Sequence, residues 1–308
     1  MKELHGVIAA TVIPYLPDER APAGLRVAVD RYEEHCRWLV RSGCSGVVVN
    51  SSMGESGSLT VRERRTVTRA AVRALEGSAD VVVGVHGGGG HQVAERANHA
   101  AEDGADAVMC LPPLGYEPTF SEVLRHFGAV AEVGVPLVVC NDPWICQVDL
   151  TPEMLAEITT LDNVVAVCDF SGEPERTWRT AALVPEVVVM TGTDRTVVEN
   201  VISGARAWVA ALPNLWPEQA VRLFDLVASG HLAQAQALRL ALDGPLRWKG
   251  TRGEVQMVKF GMDYSGRYGG PCRPPRDALA VDVFAEAHRD VQNSIAALSA
   301  RGRCEEHR

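Results

Sequence analysis

Residues 164–172 read Val164-Val165-Ala166-Val167-Cys168-Asp169-Phe170-Ser171-Gly172. The run up to Cys168 is apolar and rich in β-branched residues, without polar alternation, which is the pattern of a strand buried on both faces. The aspartate, serine and glycine that follow mark its end, and Pro174 opens a stretch with helical spacing that runs to Leu183. A strand, a turn and a helix therefore follow one another in a single short unit.

The same unit recurs on both sides of it. Apolar runs at Val7–Ile13, Gly46–Val49, Val81–Val85, Ala107–Cys110, Pro136–Cys140, Val164–Cys168, Val187–Met190 and Ala207–Ala211 alternate with helix-like stretches. Those stretches are Leu25–Val40, Thr60–Leu75, Gln92–Glu102, Phe120–Glu132, Thr151–Ile158, Pro174–Leu183 and Thr196–Ser203. Eight strands alternating with helices predict an α/β fold, a parallel (β/α)8 TIM barrel, with a doubly wound open sheet as the rival arrangement. Further helical stretches near Pro217–Val227, His231–Leu242, Glu254–Met262 and Asp277–Leu298 exceed a minimal barrel. We read residues 1–215 as the barrel core and 216–308 as the last barrel helix plus a C-terminal helical extension. A chain of 308 residues accommodates this as one unit.

Composition narrows the function classes. The formal net charge is -9 and no basic stripe is interleaved with aromatics, so nucleic acid is not an expected partner. No apolar run approaches the length of a membrane span, and residues 1–20 show no long apolar segment of the signal-peptide kind. The expected location is cytoplasmic, with no membrane partner. The eight cysteines form no CxxC pair and read mostly as free thiols. Lysine is scarce: only Lys2, Lys249 and Lys259 occur, so imine chemistry has three candidate amines.

In a barrel of this kind the chemistry sits at the C-terminal ends of the strands and in the loops after them. The second run ends in Asn50-Ser51-Ser52-Met53-Gly54-Glu55, then Ser58-Leu59-Thr60 and a helix. Small residues and a glycine there let backbone N–H groups approach an anion; a plain turn with Thr60 as N-cap fits the same residues. His86, ahead of Gly87–Gly90, is the best-placed general acid/base by its near-neutral reference pKa. Cys140 and Cys168 end neighbouring runs, and Cys110 ends the one before. These thiols read as small buried hydrophobes, as a nucleophile or redox group, or as soft-metal ligands with His86 or Asp169. Their spacing matches no standard zinc signature, and no metal or cofactor is expected. Asn141, Asp142 and Asp169 belong to the same mouth and fit either acid/base work or helix capping and pairing with arginine.

Taken together these segments resemble the dihydrodipicolinate synthase / N-acetylneuraminate lyase family. Ser51 through Glu55 is similar to that family's Gly-Thr-Thr-Gly-Glu loop, with Ser52 and Met53 at the threonines and Gly54 and Glu55 matching. Pro113 through Pro118 resembles its tyrosine-bearing loop, Asn141 and Pro143 its Tyr-Asn-x-Pro, and Val165 through Gly172 its Val-Ala-Val-Lys-Asp-Ser-Ser-Gly. Thr191 through Asp194 and Arg273 through Pro275 resemble its Ser-Gly-Asp-Asp and Arg-x-Pro-Pro. Order and spacing hold over roughly residues 5 to 298.

The resemblance implies a lyase or aldolase barrel, commonly a dimer or tetramer, that holds a 2-oxo acid or other small carboxylate. It implies substrate contacts from Ser51, Ser52, Met53, Gly54, Glu55, Asn141 and Tyr116. It also exposes departures. Cys168 stands where the family keeps its Schiff-base lysine, Cys140 where it keeps a proton-relaying tyrosine, and Ile145 near a carboxylate-binding arginine. The implied enzyme therefore works without an imine, through Cys168, Cys140, His86, Asp169 or Asp142. Two alternatives stay open: a catalytically inactive protein that binds a metabolite or partner subunit, and a cysteine- or metal-dependent enzyme of another class. Lys259 reads as structural, and Lys2 and Lys249 as surface residues.

Overall fold

The computed structural model describes residues 4–248 and 250–305, with side chains of the last helix described as far as residue 301. Lys2 and Lys249, and the side chain of Cys304, lie outside the described residues.

The chain starts with β1 (Gly6–Ala10), a hairpin of β2 (Tyr15–Pro17) and β3 (Leu25–Val27), and α1 (Val29–Arg41). Six strand–helix units follow. They are β4 (Gly46–Val49) with α2 (Val61–Leu75), β5 (Asp80–Gly84) with α3 (Gly90–Glu102), and β6 (Ala107–Cys110) with α4 (Phe120–Ala131). Next come β7 (Leu137–Asn141) with α5 (Pro152–Ile158), β8 (Val164–Asp169) with α6 (Pro174–Leu183), and β9 (Val188–Thr191) with α7 (Val197–Ile202). The eighth unit is β10 (Ala207–Ala210) with α8 (Pro217–Ala228). The extension holds α9 (Leu232–Ala241), α10 (Asp243–Leu246), α11 (Glu254–Tyr264) and α12 (Val281–Glu305).

The eight main strands pair in parallel in the order β1-β10-β9-β8-β7-β6-β5-β4 and close on β1. Closure excludes the open sheet. All eight expected strands are present, with ends shifted by a few residues at most. One expectation needs correction: helix was read from Leu25, but Leu25–Val27 pairs antiparallel with Tyr15–Pro17, and α1 starts at Val29. The apolar spacing there serves a hairpin, because the polar turn at residues 18–24 brings two extended segments together.

Side-chain alternation divides the core in two. Ile8, Val48, Val82, Val138 and Val209 fill the barrel interior, while Val7, Val47, Val83, Val139 and Trp208 pack outward under the helices. This division sorts the thiols. Cys140 and Cys168 belong to the interior and Cys110 to the outer layer. The register partner of Cys110 is Val139, one residue short of Cys140, so the pleat turns it to the opposite face. Of the three thiols at consecutive strand ends, only Cys140 and Cys168 therefore share a face.

The extension is bound to the barrel through buried charge. Lys259 on α11 is 1% exposed; its Nζ donates to Glu55 Oε1 at 2.6 Å and to the Pro271 carbonyl at 2.8 Å. The other Glu55 oxygen accepts the Arg273 backbone N–H at 2.9 Å. The Arg273 guanidinium grips both oxygens of Glu63, at 2.7 and 3.0 Å, and the Ser58 and Leu25 carbonyls. Both cations face the Tyr15 ring, each 4.6 Å from its centroid. Removing one member of such a pair strands a desolvated charge. Lys259→Met is expected to lower unfolding free energy by about 3–5 kcal/mol. Lys259→Met combined with Glu55→Gln should lose less than that single change, as read by urea denaturation.

Candidate active site

The loop after β4 is shaped by two left-handed residues, Asn50 (φ 55°) and Glu55 (φ 51°). Asparagine tolerates that region, and the Asn50 amide is fixed by donating to Arg64 O and Thr68 Oγ1, both at 3.1 Å. Gly54 runs close beneath β1's end: a Cβ there would lie 3.2 Å from the Thr11 carbonyl. The loop thus presents Ser51, Ser52 and Met53 to a cavity of about 250 Å3, with Ser56 and Gly57 completing its edge. Ser51 is buried and its hydroxyl has no hydrogen-bond partner among the described residues.

That inner cavity is apolar at Val48, Met109 and Val209 and polar at Ser51, His86, Asp142 and Arg276. A larger space of about 760 Å3 lies beside it. The two share Ser52, Met53, Asp142, Ile145, Phe170 and Arg276.

Cys140 and Cys168 are register partners on β7 and β8. Cys140 borders the inner cavity, and Cys168 sits beside it, fully buried and outside the lining. Burial, then the neighbouring Cys168, pushes the Cys140 thiol well above its usual pKa. Both facts weigh against a ready thiolate at this position, because the thiolate is the nucleophilic form. Burial likewise lifts Cys36, Cys44 and Cys146 to about 12. Among the described residues no three His, Cys, Asp or Glu side chains gather as a metal site would require.

His86 follows β5 and lines the inner cavity. Burial, together with the nearby Arg64 and Arg96 charges, lowers its pKa to about 4. The near-neutral titration expected of it is corrected accordingly: at pH 7 the ring is neutral, a hydrogen-bonding group rather than a cationic acid. Its Nδ1 is buried and has no partner among the described residues. Asp142 borders both cavities, with Oδ1 accepting the Trp144 N–H at 3.1 Å.

Four residues read as site groups are placed elsewhere. Glu55 is 0% exposed, is spent on Lys259 and Arg273, and does not line the cavity. Asn141 and Asp169 occupy the pleat positions opposite to Cys140 and Cys168. The Asn141 amide donates to Asp169 at 3.1 Å and to Asp149 at 3.0 Å; Asp169 also accepts from Ser171 N, Ser171 Oγ and Arg176. This network ties the loops after β7 and β8 together and leaves neither group in the cavity lining. Tyr116 is 43% exposed and borders neither cavity. Conversely, Arg276 and Phe170 were not singled out in the sequence. Arg276 belongs to the extension, where no strand-end rule points, and its only local signal is its place just after Pro274-Pro275.

The sequence profile of the Dihydrodipicolinate synthetase family matches residues 3–294. A 4-hydroxy-tetrahydrodipicolinate synthase of Xanthomonas campestris pv. campestris is 30% identical over 302 residues, covering 97% of this chain and 98% of that protein. Another, of Methanoculleus marisnigri, is 27% identical over 278 residues, covering 89% of this chain and 94% of that one. The solved 4-hydroxy-tetrahydrodipicolinate synthase of Methylacidiphilum fumariolicum SolV shares the fold with a TM-score of 0.91 at 20% identity, covering 97% and 98% of the two chains.

The buried histidines make stability depend on pH. Burial lowers His35 from 6.5 to about 4 against a hydrogen bond to Asn214, and His86 shifts the same way. Each ring protonates near pH 6.5 when unfolded but stays neutral when folded. Their contribution is full above pH 6.5, falls as pH drops, and levels off below about 4. For His35 the loss is on the order of 3 kcal/mol. His35→Gln should flatten the decline between pH 6.5 and 4 in urea titrations; an unchanged slope would contradict the assignment.

Proposed function

Because the chain belongs to the Dihydrodipicolinate synthetase family, we propose that it is a divergent lyase of that family that handles a small 2-oxo acid or other carboxylate without a lysine imine. The observation that carries this reading is the in-register Cys140–Cys168 pair, with Cys140 on the cavity wall at the end of β7 and Cys168 beside it near the end of β8. A thiol there cannot become the protonated imine that drains electrons from an adjacent C–C bond. Lys259 is held by Glu55 and the Pro271 carbonyl and does not border the inner cavity.

In this reading the Ser51–Met53 loop receives the ligand's carboxylate through backbone N–H groups and the unspent Ser51 hydroxyl. Asp142 is the proton-transferring group, since it is the carboxylate that borders the inner cavity among the described residues. Neutral His86 donates or accepts a hydrogen bond beside it. The convergence of Ser51, His86, Asp142 and Arg276 on one small space supports an enzyme over a protein that only stores a metabolite. A dimer or tetramer is part of the same reading. Trp178 and Leu183 on α6 and Ile202 on α7 are exposed apolar side chains of the kind an assembly covers.

Incubation with pyruvate and borohydride is expected to leave the protein's mass unchanged. A stable adduct mapped to Lys259, Lys249 or Lys2 would overturn the imine-free reading. Cys168→Lys should make the protein trappable at that position, because a lysine buried there keeps its amine largely neutral. Failure of a folded Cys168→Lys protein to form the adduct would count against placing residue 168 at the reacting centre.

A further inference from the structure

Arg276 borders both cavities and is the one Lys or Arg side chain on the inner one among the described residues. Its backbone is held in place: its N–H donates to the Arg273 carbonyl at 3.2 Å, and Arg273 is gripped by Glu63 and by the Ser58 and Leu25 carbonyls. Its guanidinium is not so engaged. Arg273 pairs with Glu63, Arg247 with Asp243 and Arg176 with Asp149, yet among the described residues Arg276 meets no carboxylate. A half-buried guanidinium has lost part of its hydration and presents a planar fork of donors matched to a carboxylate.

The same cavity offers a second unfilled group, the buried Ser51 hydroxyl. Asp142, the cavity's own carboxylate, has Oδ1 turned to the Trp144 N–H. The geometry points to a short dicarboxylate as the ligand, one carboxylate on the Ser51–Met53 loop and the other on Arg276. This inference rests on the proposal above that the loop receives a carboxylate. The inner volume of about 250 Å3 restricts the ligand to metabolite size. Arg276 is then the residue that sets substrate class, supplied by the extension and not by a barrel strand.

The test compares matched pairs by isothermal titration calorimetry: 2-oxoglutarate against 2-oxopentanoate, and succinate against butyrate. The wild-type protein should bind the dicarboxylate of a pair roughly ten- to a hundredfold tighter, the range of one charge-assisted hydrogen-bonded contact. Arg276→Gln should erase that ratio by weakening the dicarboxylate far more than the monocarboxylate, while Arg276→Lys should keep part of it. A wild-type ratio near one overturns the inference, as does an Arg276→Gln protein that weakens both members of a pair equally. In those cases the carboxylate loop still stands. If neither member of either pair binds, the loop assignment fails and this inference fails with it.

Discussion

One buried carboxylate holds the mouth of this barrel in place. Glu55 leaves the β4 loop in a left-handed conformation, turns from the cavity, and meets Lys259 of α11 and the Arg273 backbone. Both partners lie more than two hundred positions from it in the chain. Burying ions is unfavourable unless each finds partners. Here each does, so the β4 loop, the N-terminal hairpin and the C-terminal extension share one arrangement. Glu63 reinforces it twice, closing the capping box of α2 with Thr60 and gripping Arg273.

That clamp shapes the candidate site from both sides. On the barrel side it orients Ser51, Ser52 and Met53 toward the inner cavity. On the extension side it anchors the segment that delivers Arg276 to the same space. A second network, Asn141–Asp169–Asp149–Arg176, fixes the loops after β7 and β8 from outside the barrel. The polar residues of this mouth therefore divide into those that hold loops and those that border the cavity. Charge type alone does not separate the two: Asp142 follows β7 and Asp169 ends β8, yet of the pair only Asp142 borders the cavity.

The paired thiols at the ends of β7 and β8 are consistent with this division. They are buried groups of modest size next to a space bordered by Asp142, His86 and Arg276. The polar chemistry of the cavity thus lies with groups carried on loops, where the barrel architecture places function.

The sequence by itself determined the eight strand–helix units, the parallel barrel and the helical extension, and it singled out the Ser51–Glu55 loop. Those features are written in local periodicity and in turn residues, which act over a few positions. It also marked Cys140 and Cys168 as neighbours, because they end consecutive strands. Tertiary structure alone decided which side chains share a space. Strand register put Cys110 and Asp169 on the outer face, and hairpin pairing withdrew Leu25–Val27 from α1. Long-range ion pairing took Glu55 out of the cavity and brought Arg276 to it. A side chain's destination depends on register and on partners hundreds of residues away, and neither is encoded in the pattern around it.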